Sequence, residues 1–177
     1  MEKIPYRTEN SLAEDLIEYS ENLILEVKKY SGSSKIFSDK TELDSGEYIG
    51  DIHVNPIVSN GTSDLHARRN FAAVAIKGLW NLAYDCEQDE EWLNDVAAFH
   101  CVSDIIRPTF AQALGFPDDS ITLCKDQREM KKRLRKFRQE ELKDNADGNI
   151  GDIYEVWLSR NQLISTKEKL GELYNKI

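Results

Sequence analysis

A fourteen-residue segment, Lys125 to Arg138, concentrates positive charge in an otherwise acidic chain. It contains eight of the 23 lysines and arginines and two acids, which gives it a net charge of +6. The whole chain has a formal charge of −9, so the other residues together carry −15. Such an asymmetry concerns binding partners more than the fold. At helical spacing, seven of the basic residues fall within an arc of about 160°. They form a predicted anion-binding surface: Lys125, Arg128, Lys131, Lys132, Arg135, Lys136 and Arg138.

Two interpretations of this basic segment remain open. At a rise of 1.5 Å per residue it makes a ridge about 20 Å long, which matches several consecutive phosphates of a nucleic acid. It is also compatible with a solvated helix face that meets acidic elements of the same protein. No aromatic residue alternates with the arginines on this face, which argues against binding of single strands by base stacking.

Negative charge clusters in a second segment, 85–91. An acidic surface of this kind steers a basic partner toward the protein. Its members are Asp85, Glu87, Asp89, Glu90 and Glu91. The sequence therefore favours a non-enzymatic interaction protein of the inhibitor, antitoxin or immunity type, with a nucleic-acid-binding subunit as the alternative.

One spacing is compatible with metal-dependent nuclease chemistry, which is the second alternative. Asp118, Glu129 and Lys131 have the order of two carboxylates for Mg²⁺ and a lysine beside the attacking water. Such groups need adjacent strands, whereas Glu129 and Lys131 lie in a segment with helical periodicity. On a helix they point about 200° apart.

Other candidate motifs are weaker still. Residues 144–149 resemble a calcium loop in composition, but Gly148 as the sixth position puts Lys143 first and Tyr154 last, where acids are required. His100 and Asp104 are spaced for a hydrogen-bonded pair on a helix, and no second histidine is placed to complete a metal site. No nucleotide, metal or other cofactor fingerprint is present, so we predict no cofactor, no metal and no catalytic residue.

Composition indicates one soluble, cytoplasmic domain covering residues 1–177. The chain is long enough for a core, and 40% hydrophobic content argues against general disorder. The three cysteines suit reduced thiols. The N-terminus lacks the pattern of a signal peptide, and the apolar run 71–83 is too short to span a bilayer, so no membrane association is expected.

The periodicity predicts a mostly α-helical bundle of about five helices. The first is expected from Ser11 to Tyr30, the second, which is buried, from Thr62 or Ser63 to about Cys86, and the third from Trp92 to Pro108. One or two further helical turns are expected from Thr109 to Leu114, ended by Gly115. The basic segment forms the fourth, beginning at Ser120 or at an Asp126 capping box. One long or two short helices follow from Ile153.

Residues 32–61, between the first two helices, differ from the rest. They hold four of the nine glycines and short apolar patches at 35–37 and 48–54. We predict a small β-hairpin or flap over the bundle, less stable than the helices and suited to partner recognition.

Overall fold

The protein has a mixed α/β fold, so the predicted all-α helical bundle is wrong. The computed structural model describes residues 16–20, 23–54, 65–141 and 150–176. Within these ranges, strands and helices alternate along the chain.

Six of the eight described strands form one mixed sheet. Numbered in chain order, their spatial sequence is β1 (Leu16–Ser20), β2 (Leu23–Lys29), β5 (Tyr48–Val54), β6 (Val96–Ser103), β8 (Tyr154–Ser159) and β7 (Ile121–Leu123). All neighbouring pairs are antiparallel except β5 and β6. The other two strands, β3 (Lys35–Ile36) and β4 (Glu42–Leu43), form a separate hairpin.

Five α-helices accompany the sheet. They are α1 (Leu65–Glu87), α2 (Pro108–Leu114), α3 (Gln127–Glu141), α4 (Arg160–Ser165) and α5 (Lys167–Tyr174). Helix α1 lies between β5 and β6 in the chain, as a parallel pair requires, because a tight turn cannot join parallel strands. No described helix is both long enough and apolar enough to cross a membrane.

The main core lies between one face of the sheet and the helices. Leu25, Ile52 and Phe99 are buried on neighbouring strands, and they belong to the same apolar cluster as Leu82 of α1 and Leu170 of α5. Successive side chains of a strand point to opposite faces of the sheet. The residues directly before and after Leu25, Ile52 and Phe99 therefore lie on the opposite face. We call that opposite side the polar face.

The β3–β4 hairpin covers part of the polar face. Its Phe37 and Leu43 pack with Ile49 and Ala98 in a second, smaller core cluster. The hairpin is also fastened by hydrogen bonds, since the Ser159 hydroxyl donates to Asp39. One end of the polar face is therefore buried, and the rest carries the charged side chains described below.

The first predicted helix, Ser11 to Tyr30, is wrong where the structure describes it. Residues 16–20 and 23–29 are antiparallel strands, and Leu23 and Leu25 are both fully buried. Burial at every second residue is the period of a strand. The helical interpretation used Leu23 and Val27, which share a face in either structure.

The third predicted helix, Trp92 to Pro108, is also wrong. After a short 3-10 turn the chain forms β6, and Pro108 begins α2 instead of ending a helix. The terminal prediction from Ile153 is partly right, because β8 comes first and the short helices α4 and α5 follow.

Three predicted helical segments are confirmed. Helix α1 occupies the buried central segment. Helix α2 ends at Gly115, whose φ of 85° is the left-handed conformation of a helix C-terminus. Helix α3 follows Asp126, whose Oδ1 accepts a hydrogen bond from the amide of Glu129 at 3.0 Å. The basic segment is therefore helical, as predicted.

The segment 32–61 contains both a hairpin and a central strand. A hairpin that paired the patches 35–37 and 48–54 with each other is not formed: residues 35–36 pair with 42–43, and residues 48–54 pair with β2 on one side and β6 on the other. They are thus part of the main sheet. The predicted flap at 48–54 is wrong.

Amide hydrogen exchange should separate these two parts of the segment. We expect the amides of Ile49 to Ile52 to exchange as slowly as those of Leu79 to Ala83, because opening them requires opening the sheet. Those of Lys35 and Ile36, in a two-residue strand, should exchange much faster. Fast exchange at 49–52 would contradict the pairing with β2 and β6.

Candidate functional site

The polar face brings together ionisable side chains from four strands. Cross-strand partners are Glu26 with Asp51, Asp51 with His100, and His100 with Trp157. Alternation from these positions places on this face Glu26 and Lys28 of β2, Asp51 and His53 of β5, His100 of β6, and Glu155 of β8, with Trp157 beside them.

His100 is held between two carboxylates. Its Nδ1 lies 2.8 Å from Asp51 Oδ1, and its Nε2 lies 3.1 Å from Glu155 Oε1. Ionised carboxylates only accept hydrogen bonds, so this arrangement favours the imidazolium form, in which both ring nitrogens donate. Burial by itself lowers the pKa of His100, but the two hydrogen bonds outweigh burial and raise the pKa above its usual 6.5.

Asp51 is the centre of this network and is nearly buried. Its Oδ2 accepts from Lys28, while Oδ1 binds His100. Burial would raise the pKa of Asp51, but hydrogen bonds from His100 and Lys28 lower it to about 2. The carboxylate is therefore ionised at neutral pH, each of its oxygens accepts from one of these partners, and His53 Nε2 also lies 4.0 Å from Oδ2.

At the end of the polar face that β8 forms, four residues make up what we call the Trp157 corner: Tyr30, Lys35, Glu155 and Trp157. The Trp157 Nε1 donates to Glu155 Oε1 at 2.8 Å, and the Tyr30 ring meets the Trp157 ring edge-on at 5.6 Å between centroids. Lys35 Nζ lies 4.9 Å from the Trp157 centroid. Hydrogen bonding by His100 lowers the pKa of Glu155 to about 2, with a further contribution from the Lys35 charge.

At the β2 end, Glu26, Asp51 and His53 offer a set of potential metal ligands. One ligand atom from each lies within 4.8 Å of the other two. His53 Nε2, however, is hydrogen-bonded to Glu26 Oε2 at 3.0 Å, and both Asp51 oxygens are occupied by Lys28 and His100. A metal ion would have to displace these cations, so we assign the three residues to an ion-pair network.

The predicted basic surface lies on α3 and just before it. Lys125, Arg128, Lys132 and Arg135 are exposed. Lys131 instead pairs with Asp152 at 3.3 Å, and Lys136 has contacts of its own. The side chain of Arg138 lies outside the described part.

The predicted acidic surface at 85–91 is largely engaged within the protein. Asp85 is buried, Glu87 pairs with Lys167, and Asp89 accepts from Arg160 at 3.1 Å. Glu90 also has an interaction, and Glu91 is exposed. Asp85 therefore contributes no exposed charge, whereas Glu87, Asp89 and Glu91 remain exposed.

The residues considered for nuclease chemistry each have a different partner. Asp118 accepts from Gln112, Glu129 pairs with Arg133 at 3.1 Å, and Lys131 pairs with Asp152. Glu129 and Lys131 lie on α3, not on adjacent strands. The calcium-like segment 144–149 lies outside the described residues.

Sequence reasoning missed most of the polar face. The sequence pairs His100 with Asp104, but the His100 ring is bound by Asp51 and Glu155, which are 49 and 55 residues away in the chain. A usable signal is present in the alternation of Leu25 and Val27 with Glu26 and Lys28, which is the pattern of a strand with one polar side.

Comparison with protein-family models, curated proteins and solved structures found no match for this chain.

Proposed function

We propose that this is a non-enzymatic binding protein that recognises an ammonium group at the Trp157 corner. One observation carries the proposal: the protein's own Lys35 ammonium already lies over the Trp157 ring, at 4.9 Å, beside Glu155. Lys35 belongs to the two-residue strand β3, so it can leave the ring without disturbing the main sheet. An amine of a ligand would take its place.

The chemistry of the corner suits a cation. Both hydrogen bonds to Glu155 within the described residues end on Oε1, which leaves Oε2 as an acceptor. Tryptophan is the best aromatic partner for a cation, and Tyr30 supplies a second ring at its edge. An ionised carboxylate next to two aromatic rings is typical of sites for primary or methylated amines.

The charge of the whole protein supports the same ligand class. Outside residues 125–138 the chain carries −15, and such a field raises the local concentration of cations and speeds their association. A basic protein partner, expected from the sequence, could supply the ammonium from a lysine side chain. A free small amine has the same chemistry, and the experiment below distinguishes the two sources.

Replacing Lys35 by methionine should strengthen amine binding. The variant removes the internal competitor, whose contact is worth about 1–2 kcal/mol, so the affinity should rise roughly 5- to 30-fold. Isothermal titration with tetramethylammonium, N-acetyl-lysine amide and a lysine-containing peptide would measure it. Binding of the peptide alone would indicate a protein partner.

The matched control is Lys29→Met, since Lys29 also lies over an aromatic ring, that of Tyr48 at 5.6 Å. It should leave amine affinity unchanged. Adding Glu155→Gln or Trp157→Leu to Lys35→Met should abolish the gain. If these double variants bind amines as well as Lys35→Met does, the Trp157 corner is not the site.

A further inference from the structure

A second surface, independent of the Trp157 corner, is formed by four exposed cations at α3. Lys125, Arg128, Lys132 and Arg135 are exposed, and no ion-pair partner for them lies within the described residues. We call them the α3 ridge. On the helix, Arg128, Lys132 and Arg135 fall within about 60° of arc and span about 10 Å of rise.

The opposite side of α3 faces the protein. Met130 and Leu134, on the side away from the ridge, are half-buried. Lys131, next to Arg135 on the helix surface, pairs with Asp152, which precedes β8. The start of the helix is anchored by Gln127, whose side chain exchanges hydrogen bonds with the backbone of Ile153. The ridge therefore projects outward from a helix whose apolar residues are already in use.

We propose that the α3 ridge binds the phosphate backbone of a duplex nucleic acid. The ridge spans about three phosphates of one strand at 3.4 Å per nucleotide. A protein interface would need apolar or aromatic residues at its centre, and the outward side of α3 presents cations without them. The same lack of aromatic residues excludes base stacking, which leaves backbone contacts to a duplex.

The affinity should depend steeply on salt. Three phosphate contacts predict a slope of about −3 in log K against log salt, or about 40-fold weaker binding at 200 mM than at 50 mM salt. Fluorescence anisotropy of a labelled 20-base-pair DNA duplex with the full-length protein would measure this slope. The rest of the protein is acidic, so binding should come from the ridge alone.

The test compares two triple variants of equal charge. Arg128→Glu, Lys132→Glu and Arg135→Glu together should abolish binding, whereas Lys29→Glu, Lys40→Glu and Lys176→Glu together should retain it within about threefold. Lys29, Lys40 and Lys176 are likewise exposed but are not part of α3. A third variant combines Arg128→Gln, Lys132→Gln and Arg135→Gln. Circular dichroism of the variants shows whether a loss of binding is caused by a loss of folding.

Several results would overturn the proposal. The first is an absence of duplex binding at 25 mM salt, and the second is equal binding by the two triple variants. The third is tighter binding of polyglutamate than of the duplex. The last would indicate an acidic protein partner. Lys35→Met and Glu155→Gln should leave duplex affinity unchanged, so failure of the Trp157 corner and failure of the α3 ridge are distinguishable.

Discussion

Replacing Phe99 by alanine is expected to lower the free energy of unfolding by about 3–5 kcal/mol, a large share of the roughly 5–15 kcal/mol typical of a domain. Phe99 is 1% exposed on the inner strand β6 and packs in the main core. Its ring lies against Gly50, where an added Cβ would come within 2.8 Å of Phe99. Truncation therefore leaves a cavity between two central strands that the backbone cannot close.

Urea unfolding followed by circular dichroism would measure this loss. Phe99→Leu, which keeps most of the volume, should cost less than about 1.5 kcal/mol. Val102→Ala on the same strand, where the side chain is 38% exposed, should cost under about 1 kcal/mol. Equal losses for Phe99→Ala and Val102→Ala would show that β6 does not run through the core as described.

Gly50 also explains why the predicted flap within residues 32–61 is wrong. Glycines there favoured a loop, yet Gly50 lies in β5, where its missing side chain leaves room for Leu25 and Phe99. A glycine in a strand often marks such a close approach. One sequence cannot distinguish this use of glycine from a turn, because the residues that fill the space are 25 and 49 positions away.

The sequence of strand β2 fits a helical pattern for a different reason. Residues four apart share a face in a helix and in a strand, so Leu23 and Val27 fit both periods. Leu25 distinguishes the strand from the helix. It is fully buried and lies two residues from both Leu23 and Val27, which is the spacing of one strand face. Strand β6 is ambiguous in another way: Ala98 and Phe99 are buried on opposite faces, which gives the continuous apolar run of a buried helix.

The sequence predicts correctly those features that depend on residues close together in the chain. Helix α3 begins after the capping residue Asp126, and α2 ends at Gly115, both as the sequence indicated. The candidate site depends instead on strand order, which joins β2, β5, β6 and β8 across more than a hundred residues. The basic ridge could be predicted from the sequence because one helix carries it, and the polar face could not.

Replacing Asp51 by asparagine should destabilise the protein by about 2 kcal/mol near pH 5–6, in proportion to the fall of its pKa from 3.8 to about 2. The Asp51 side chain is only 11% exposed, so solvent screens little of its interaction with His100 and Lys28. Asparagine keeps the shape but removes the charge. It would leave a nearly buried imidazolium with Glu155 as its one remaining carboxylate partner.

The stabilisation by Asp51 is lost at low pH, and the stabilisation by His100 is lost at high pH. Because the pKa of Asp51 is lowered, its stabilisation is present above pH 3.8 and is lost as the pH falls toward 2. Because the pKa of His100 is raised, its stabilisation is present below pH 6.5 and is lost as the pH rises through the folded value. The difference between wild type and Asp51→Asn should therefore be largest between about pH 4 and 6.5 and should narrow on both sides.

Urea unfolding of both proteins from pH 2 to pH 9 measures this difference. Asp95→Asn is the matched control, because Asp95 is exposed and its loss should change stability by less than about 0.5 kcal/mol at every pH. A difference for Asp51→Asn that stayed constant across the range would mean that Asp51 does not hold His100 as an imidazolium. A difference that widened above pH 6.5 would mean that the histidine is bound in its neutral form.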